Sequence, residues 1–158
     1  LLIIRSYLNG GTWSYKPSHG HRSGLEDKIA SQIKSYEDEE VYEKAYLVYK
    51  IPESDHRYTP DFILKNGIII EAKGIFEVKD RQKHLFIKEQ YPDLDIRFVF
   101  QNPKNKLYSG SKTTYADWCD KYGFKWAAKV IPASWFTERK KSLVGLLHKE
   151  SNKNEKRK

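Results

Sequence analysis

The chain reads as an α/β protein, a mixed sheet flanked by helices, on three observations. Leu25, Ile29 and Ile33 recur at helical spacing behind Ser23, a good N-cap. Two short apolar runs, Phe62-Ile63-Leu64 and Ile68-Ile69-Ile70, flank Asn66-Gly67, the usual sequence signal for a hairpin. A further β-type run, Ile96-Arg97-Phe98-Val99-Phe100, follows a helical stretch. The resulting order of helix, strand, hairpin, helix, strand and helix is an α/β layout.

Taken in order, residues 1–21 form an arm whose periodicity Gly10-Gly11, Pro17 and Gly20 interrupt. It carries Arg5, Lys16, His19 and His21 among Tyr7, Trp13 and Tyr15, so it is either a DNA-embracing arm or a disordered terminus. A helix runs from Arg22 to about Tyr36, and Glu26 stands three residues after Ser23, where a capping box closes. Glu37 to Glu40 is an acidic turn. Val41 to Ile51 is β-rich, with apolar residues on both faces, long for a strand in a small domain, and Pro52 ends it. After the hairpin comes a Gly74–Val78 loop and a helix from Lys79 to Gln90, with Leu85 and Phe86 inward. That helix is strongly basic through Lys79, Arg81, Lys83, His84 and Lys88. Residues 102–112 are a polar loop with Lys104, Lys106 and Lys112. Thr113 or Thr114 caps a helix through Lys121, and Gly123 follows at its C-cap. Phe124 to Val130 is a short strand, Ile131 to Phe136 a closing segment, and residues 138–158 a basic tail, disordered at its end.

The hairpin carries the chemistry. It is preceded by Pro60-Asp61 and runs into Glu71-Ala72-Lys73, and a strand alternates faces, so Glu71 and Lys73 share a side. A two-residue Asn66-Gly67 loop sets Asp61 opposite Ala72, on the wrong face. A three-residue Lys65-Asn66-Gly67 loop, with Gly67 left-handed, sets it opposite Glu71. If this is a site, the loop has three residues. Two carboxylates suit a hard divalent cation, since Mg²⁺ needs only one or two of them beside waters and phosphate oxygens. A lysine there orients water or stabilises charge building on a phosphate. The plain alternative is a solvated hairpin. Three isoleucines leading into Glu71 favour a buried strand whose charged end sits at the rim of a core.

Composition narrows the partners. At 158 residues the chain is one domain, and its formal net charge of +8 favours a polyanion, because each phosphate contact releases counterions. Eleven Tyr and four Trp offer stacking surfaces, although most aromatics in a domain this small belong to the core. The single Cys119 excludes an internal disulfide and a cysteine-based zinc site, and reads as a small buried hydrophobe. No apolar run approaches membrane-spanning length, and Leu1-Leu2-Ile3-Ile4 is too short for a signal peptide, so a soluble intracellular protein is expected.

Several motifs recur together in order: Arg22-Ser-Gly-Leu-Glu-Asp-Lys28, Tyr58-Thr-Pro-Asp-Phe62, Asn66-Gly67, Glu71-Ala-Lys-Gly74, Arg81-Gln-Lys-His-Leu85, Leu94-Asp-Ile-Arg97 and Ile131-Pro-Ala133. Over residues 22–137 the chain resembles the endonuclease I family of T-seven-type bacteriophages, Holliday-junction resolvases within the PD-(D/E)xK nuclease superfamily. The resemblance implies a restriction-endonuclease-like core and a metal-dependent phosphodiesterase acting on branched DNA. It implies catalytic roles for Glu26, Asp61, Glu71 and Lys73, with Asp61, Glu71, Glu26 and the carbonyl of Ala72 holding Mg²⁺ or Mn²⁺, two ions per site, and no small-molecule cofactor. It makes Glu26 a metal-site acid in addition to a cap. It also implies an intertwined homodimer in which residues 41–52 bridge the subunits and carry the N-terminal helix across. Val48 stands where the family's bridge has a proline, which leaves the bridge less stiffened. Candidate phosphate contacts are Arg22, Lys79, Arg81, Lys83, His84, Lys104 and Lys106; His56 and Arg57 read equally as phosphate contacts or solvated loop residues. The rivals are a sequence-specific restriction-type nuclease and a non-catalytic nucleic-acid-binding module. Retention of all four polar catalytic residues argues against a pure binder, which gains nothing from acids near DNA.

Overall fold

The computed structural model describes residues 22–38, 42–51 and 54–148. Its elements are α1 (Gly24–Ser35), β1 (Ala45–Ile51), β2 (Ser54–Tyr58), β3 (Phe62–Ile63), β4 (Ile69–Lys73), α2 (Val78–Gln90), β5 (Ile96–Phe100), α3 (Tyr115–Tyr122), β6 (Lys125–Ala128), α4 (Ala133–Thr137) and β7 (Leu147–His148). The central sheet has the order β3-β4-β5-β6, with β3 antiparallel to β4 and the other two pairings parallel. It is a mixed sheet, as expected. A second, antiparallel sheet has the order β2-β1-β7.

Alternation along β4 and β5 divides the interior in two. Ile69, Ile96, Phe98 and Phe100 join one core with Leu47 and Tyr49 of β1, Ile87 of α2, and Trp118 and Cys119 of α3. Ile70, Ala72 and Val99 face the other, against Leu25, Ile29 and Ile33 of α1 and Trp135 of α4. The expected α1 stripe is therefore the buried one, and Cys119 lies in the core. All five residues of β5 are buried, which is why its sequence is a continuous apolar run broken only by Arg97.

The caps follow the local chemistry. Ser23 Oγ accepts the Glu26 N–H, Thr114 and Asp117 make a complete capping box on α3, and Gly123 ends that helix at φ +69°. In the hairpin, Phe62 pairs with Ile70 and Ile63 with Ile69, while the Leu64 N–H donates to the Ile68 carbonyl at 2.8 Å. The loop is thus Lys65-Asn66-Gly67, three residues, with Gly67 at φ +86°. A Cβ on Gly67 would lie 2.7 Å from the backbone oxygen of Lys141. Gly67→Ala is accordingly expected to cost roughly 1–3 kcal/mol, from a left-handed backbone plus a main-chain clash, read as a lower urea midpoint at unchanged slope.

Four expectations change. The β-rich stretch forms a strand of only seven residues, because Glu43 takes φ +48° and breaks the extended backbone before Ala45. It pairs with β2 of its own chain, which includes His56 and Arg57, so those residues lie on a strand and not in a loop. On α2 the buried residues are Arg81, His84 and Ile87, with Leu85 and Phe86 only partly covered. Residues 138–148 are folded back: Asn66 Nδ2 donates to the carbonyls of Trp135 and Glu138, and β7 pairs with β1. The arm of residues 1–21 and the tail beyond residue 148 lie outside the described residues. Among the described residues, no helix is long and apolar enough to cross a membrane.

Candidate active site

The hairpin register continues past its paired residues to set Asp61 opposite Glu71, on the side of the sheet that the three-residue loop requires. Both carboxylates are buried, Asp61 at 3% and Glu71 at 1% exposure. Asp61 Oδ2 accepts the Ala72 N–H at 2.9 Å, which anchors it across the strand. Lys73, one pleat beyond Glu71, brings its Nζ to 3.4 Å from Glu71 Oε2 and 3.9 Å from Asp80 Oδ1. The Tyr58 hydroxyl donates to Glu71 Oε1 at 2.5 Å.

These placements set opposite charge preferences on the two acids. Burial, reinforced by the neighbouring Glu71 carboxylate, pushes Asp61 up to about 8. For Glu71, burial acts in the same direction but is outweighed by Lys73 and His84 beside it, which hold it below the usual carboxylate range. Burial opposes the charge on Lys73 as well, yet Glu71 and Asp61 keep it above its ordinary value. Two adjacent interior carboxylates form an oxygen donor set suited to a hard divalent cation.

Glu26 is buried on α1, but its Oε2 accepts the Arg22 N–H at 2.7 Å and the Tyr42 hydroxyl at 2.8 Å. Its carboxylate closes the helix start one residue before the position a capping box uses. Its link to the pair runs through Arg22, whose guanidinium pairs with Glu43 and reaches Asp61 Oδ1 at 3.4 Å. Among the described residues, no three His, Cys, Asp or Glu side chains converge in a cluster able to hold a metal. Asp61, Glu71 and Lys73 are therefore brought together within one chain, and Glu26 is not brought into a ligand set with them.

The candidate phosphate contacts divide. Lys79, Lys104 and Lys106 are exposed, Arg22 is exposed and ion-paired, and Lys83 is partly covered beside Asp80. Arg81 and His84 are corrected. Arg81 is 8% exposed and donates to the Phe76 carbonyl at 2.6 Å, while His84 is fully buried between Tyr58 and Phe98. Neither faces solvent, because α2 turns them inward with Ile87. Sequence reasoning assigned no role to Tyr58, Tyr42 or Asp80; Tyr58 and Tyr42 bond the candidate acids, and Asp80 faces Lys73. Only Tyr58 carried any signal, as the first residue of the Asp61 motif.

An α/β domain whose mixed sheet brings two carboxylates and a lysine to one strand end is of the kind built for phosphodiester chemistry. Residues 10–156 match the family model of phage endonuclease I, and the chain belongs to that family. It is 52% identical over 122 residues to "Endonuclease I" of Escherichia phage T7, covering 77% of this chain and 82% of that protein. It is likewise 52% identical over 122 residues to "Endodeoxyribonuclease 1" of Enterobacteria phage T3, covering 77% of this chain and 80% of that one.

Proposed function

We propose that this protein is a divalent-metal-dependent deoxyribonuclease that resolves four-way DNA junctions and cuts other branched DNA by phosphodiester hydrolysis. One observation carries the reading: the hairpin register that sets Asp61 beside Glu71 with Lys73 one pleat on. Family membership and the two phage relatives support it.

Asp61 and Glu71 hold Mg²⁺ or Mn²⁺, with the Ala72 carbonyl a further ligand and two ions per site. The bound ions supply Lewis-acid stabilisation of the phosphate's developing charge. Lys73 sits beside the carboxylates to orient the attacking water and to neutralise charge on the phosphate. Glu26 completes the site through exchange of α1 between two copies. In a homodimer with residues 41–52 as the bridge, α1 crosses to the partner and carries Glu26 to the partner's acids. Two linked sites suit an enzyme that must cut two strands of one junction. Lys79, Lys104 and Lys106 supply phosphate contacts that read shape more than base sequence, so binding weakens steeply with salt. The enzyme acts in the cytoplasm of a phage-infected bacterium.

The test is cleavage of an immobile four-way junction beside a linear duplex of the same arm sequence, with Mg²⁺. Paired nicks near the branch point are expected, with the duplex spared. Cutting of the duplex at defined sites would replace this reading with a restriction-type nuclease. Tight junction binding with no cutting would leave a binding module.

A further inference from the structure

His84 is a fully buried polar side chain that the chemistry above leaves unused. Its Nδ1 lies 2.8 Å from the Asp80 carbonyl oxygen, one turn back on α2. Its Nε2 is buried with no hydrogen-bond partner and faces Glu71 Oε2 at 3.6 Å, an ion-pair distance just beyond a hydrogen bond. Both ring nitrogens thus face oxygen acceptors, and an N–H on Nε2 is aimed at Glu71. Tyr58 packs edge-on to the ring at 5.4 Å and donates to the other Glu71 oxygen, while Phe98 closes the remaining side at 4.9 Å. Glu71 is therefore flanked by a fixed hydroxyl on Oε1 and by His84 and Lys73 on Oε2.

We infer that His84 is a positioning residue: its Nε2 steers the Glu71 carboxylate and so sets the affinity of the site for its divalent cation. The inference rests on Glu71 being a metal ligand, as proposed above. An orphaned buried nitrogen is costly, so an apolar residue would serve mere packing better at this place. Partners that orient a ligating carboxylate typically matter by about 10–100-fold in metal affinity or activity.

Two substitutions separate the nitrogens. His84→Asn can still donate to the Asp80 carbonyl but has nothing at the Nε2 position. His84→Gln restores an N–H toward Glu71. By calorimetry without DNA, His84→Asn is expected to weaken Mn²⁺ binding by about 10–100-fold, and His84→Gln to recover most of it. Both variants are expected to unfold at a lower temperature, because a fully buried ring is removed, while metal-free junction binding should stay near wild type. Equal Mn²⁺ affinity in wild type and His84→Asn, or equal loss in both variants, would overturn the positioning role while leaving the metal site standing. Absence of Mn²⁺ uptake by the wild type would overturn the metal reading, and this inference with it. If His84→Asn does not fold, ¹⁵N resonances of the wild-type ring decide: they should shift as Mg²⁺ saturates the protein, and a static ring beside a shifting Lys73 signal would overturn the role.

Discussion

Asp61→Asn is expected to abolish cutting, by at least roughly 10²–10³-fold, while leaving junction binding and the fold intact. Asp61 is buried beside Glu71, and burial, with the neighbouring Glu71 charge added to it, raises Asp61 to about 8. Asparagine keeps the shape and an oxygen for the Ala72 N–H, which Asp61 now accepts at 2.9 Å, and removes the repulsion. The variant should therefore unfold at the same temperature as wild type or higher. Lys73→Ala should lose activity on a similar scale but behave differently in stability, because it leaves Glu71 without its nearest cation at 3.4 Å. The checks are junction cleavage with Mg²⁺, gel-shift titration without it, and thermal scans. Parallel loss of binding in Asp61→Asn would show that these residues hold DNA and do not act on it.

The largest stability effect is expected at Arg97. Its side chain is 0% exposed and makes four charged bonds of 2.6–2.7 Å, two to Asp95 and two to Glu138. The guanidinium also lies over the Trp135 ring, 4.8 Å from its centroid. Asp95 is in the loop before β5 and Glu138 follows α4, so this one side chain ties the C-terminal segment to the central sheet. Arg97→Ala, which removes the cation and opens a cavity, is expected to cost about 3–5 kcal/mol. Arg97→Met should cost less, since an apolar side chain of similar length fills the space. The cluster also makes stability pH-dependent. Arg97 holds Glu138 down to about 2 against an ordinary 4.5; for Asp95, burial acts upward but Arg97 prevails and lowers it. Carboxylates depressed in the folded state contribute stability that is present above their ordinary values and lost as pH falls toward the depressed ones. Wild type should thus lose stability between about pH 4.5 and 2, and Glu138→Gln should show a shallower acid slope in urea unfolding. Equal slopes would mean that the bonds contribute nothing to folding.

Much of the site was legible because local rules and the hairpin's parity agree. Ser23, Thr114 and Gly123 cap helices through side-chain or backbone chemistry that depends on neighbours in the chain. The face shared by Asp61, Glu71 and Lys73 followed from counting residues, once the loop length was known. What escaped depended on distant partners. Ser54 to Arg57 are all exposed on β2, so no alternation marks them as a strand until β1 pairs with them. Arg81 and His84 sit in a run of basic residues, and charge counting cannot separate a buried cation from a solvated one. Residues 138–148 look like the start of a basic tail, yet Arg97, forty-one positions away from Glu138, holds them. The place of Glu26 differs again: local spacing marks it as a cap, and its carboxylate is held by Arg22 and by Tyr42, sixteen positions on.

The hairpin loop also carries a consequence for descent. Because side chains alternate along a strand, losing or gaining one residue among Lys65-Asn66-Gly67 would carry Asp61 to the far face and separate it from Glu71. Lineages that keep this chemistry can therefore exchange the identity of Lys65, while Asn66 stays to hold the Trp135 and Glu138 carbonyls and the number of residues between Leu64 and Ile68 is fixed. Gly67 is held twice over, by its left-handed backbone and by the Lys141 carbonyl pressed against it. The exposed loop after β5 is under no such parity. Insertions and deletions should accumulate there, at residues 102–112, while the turn that aligns the acids keeps its length across divergent phage.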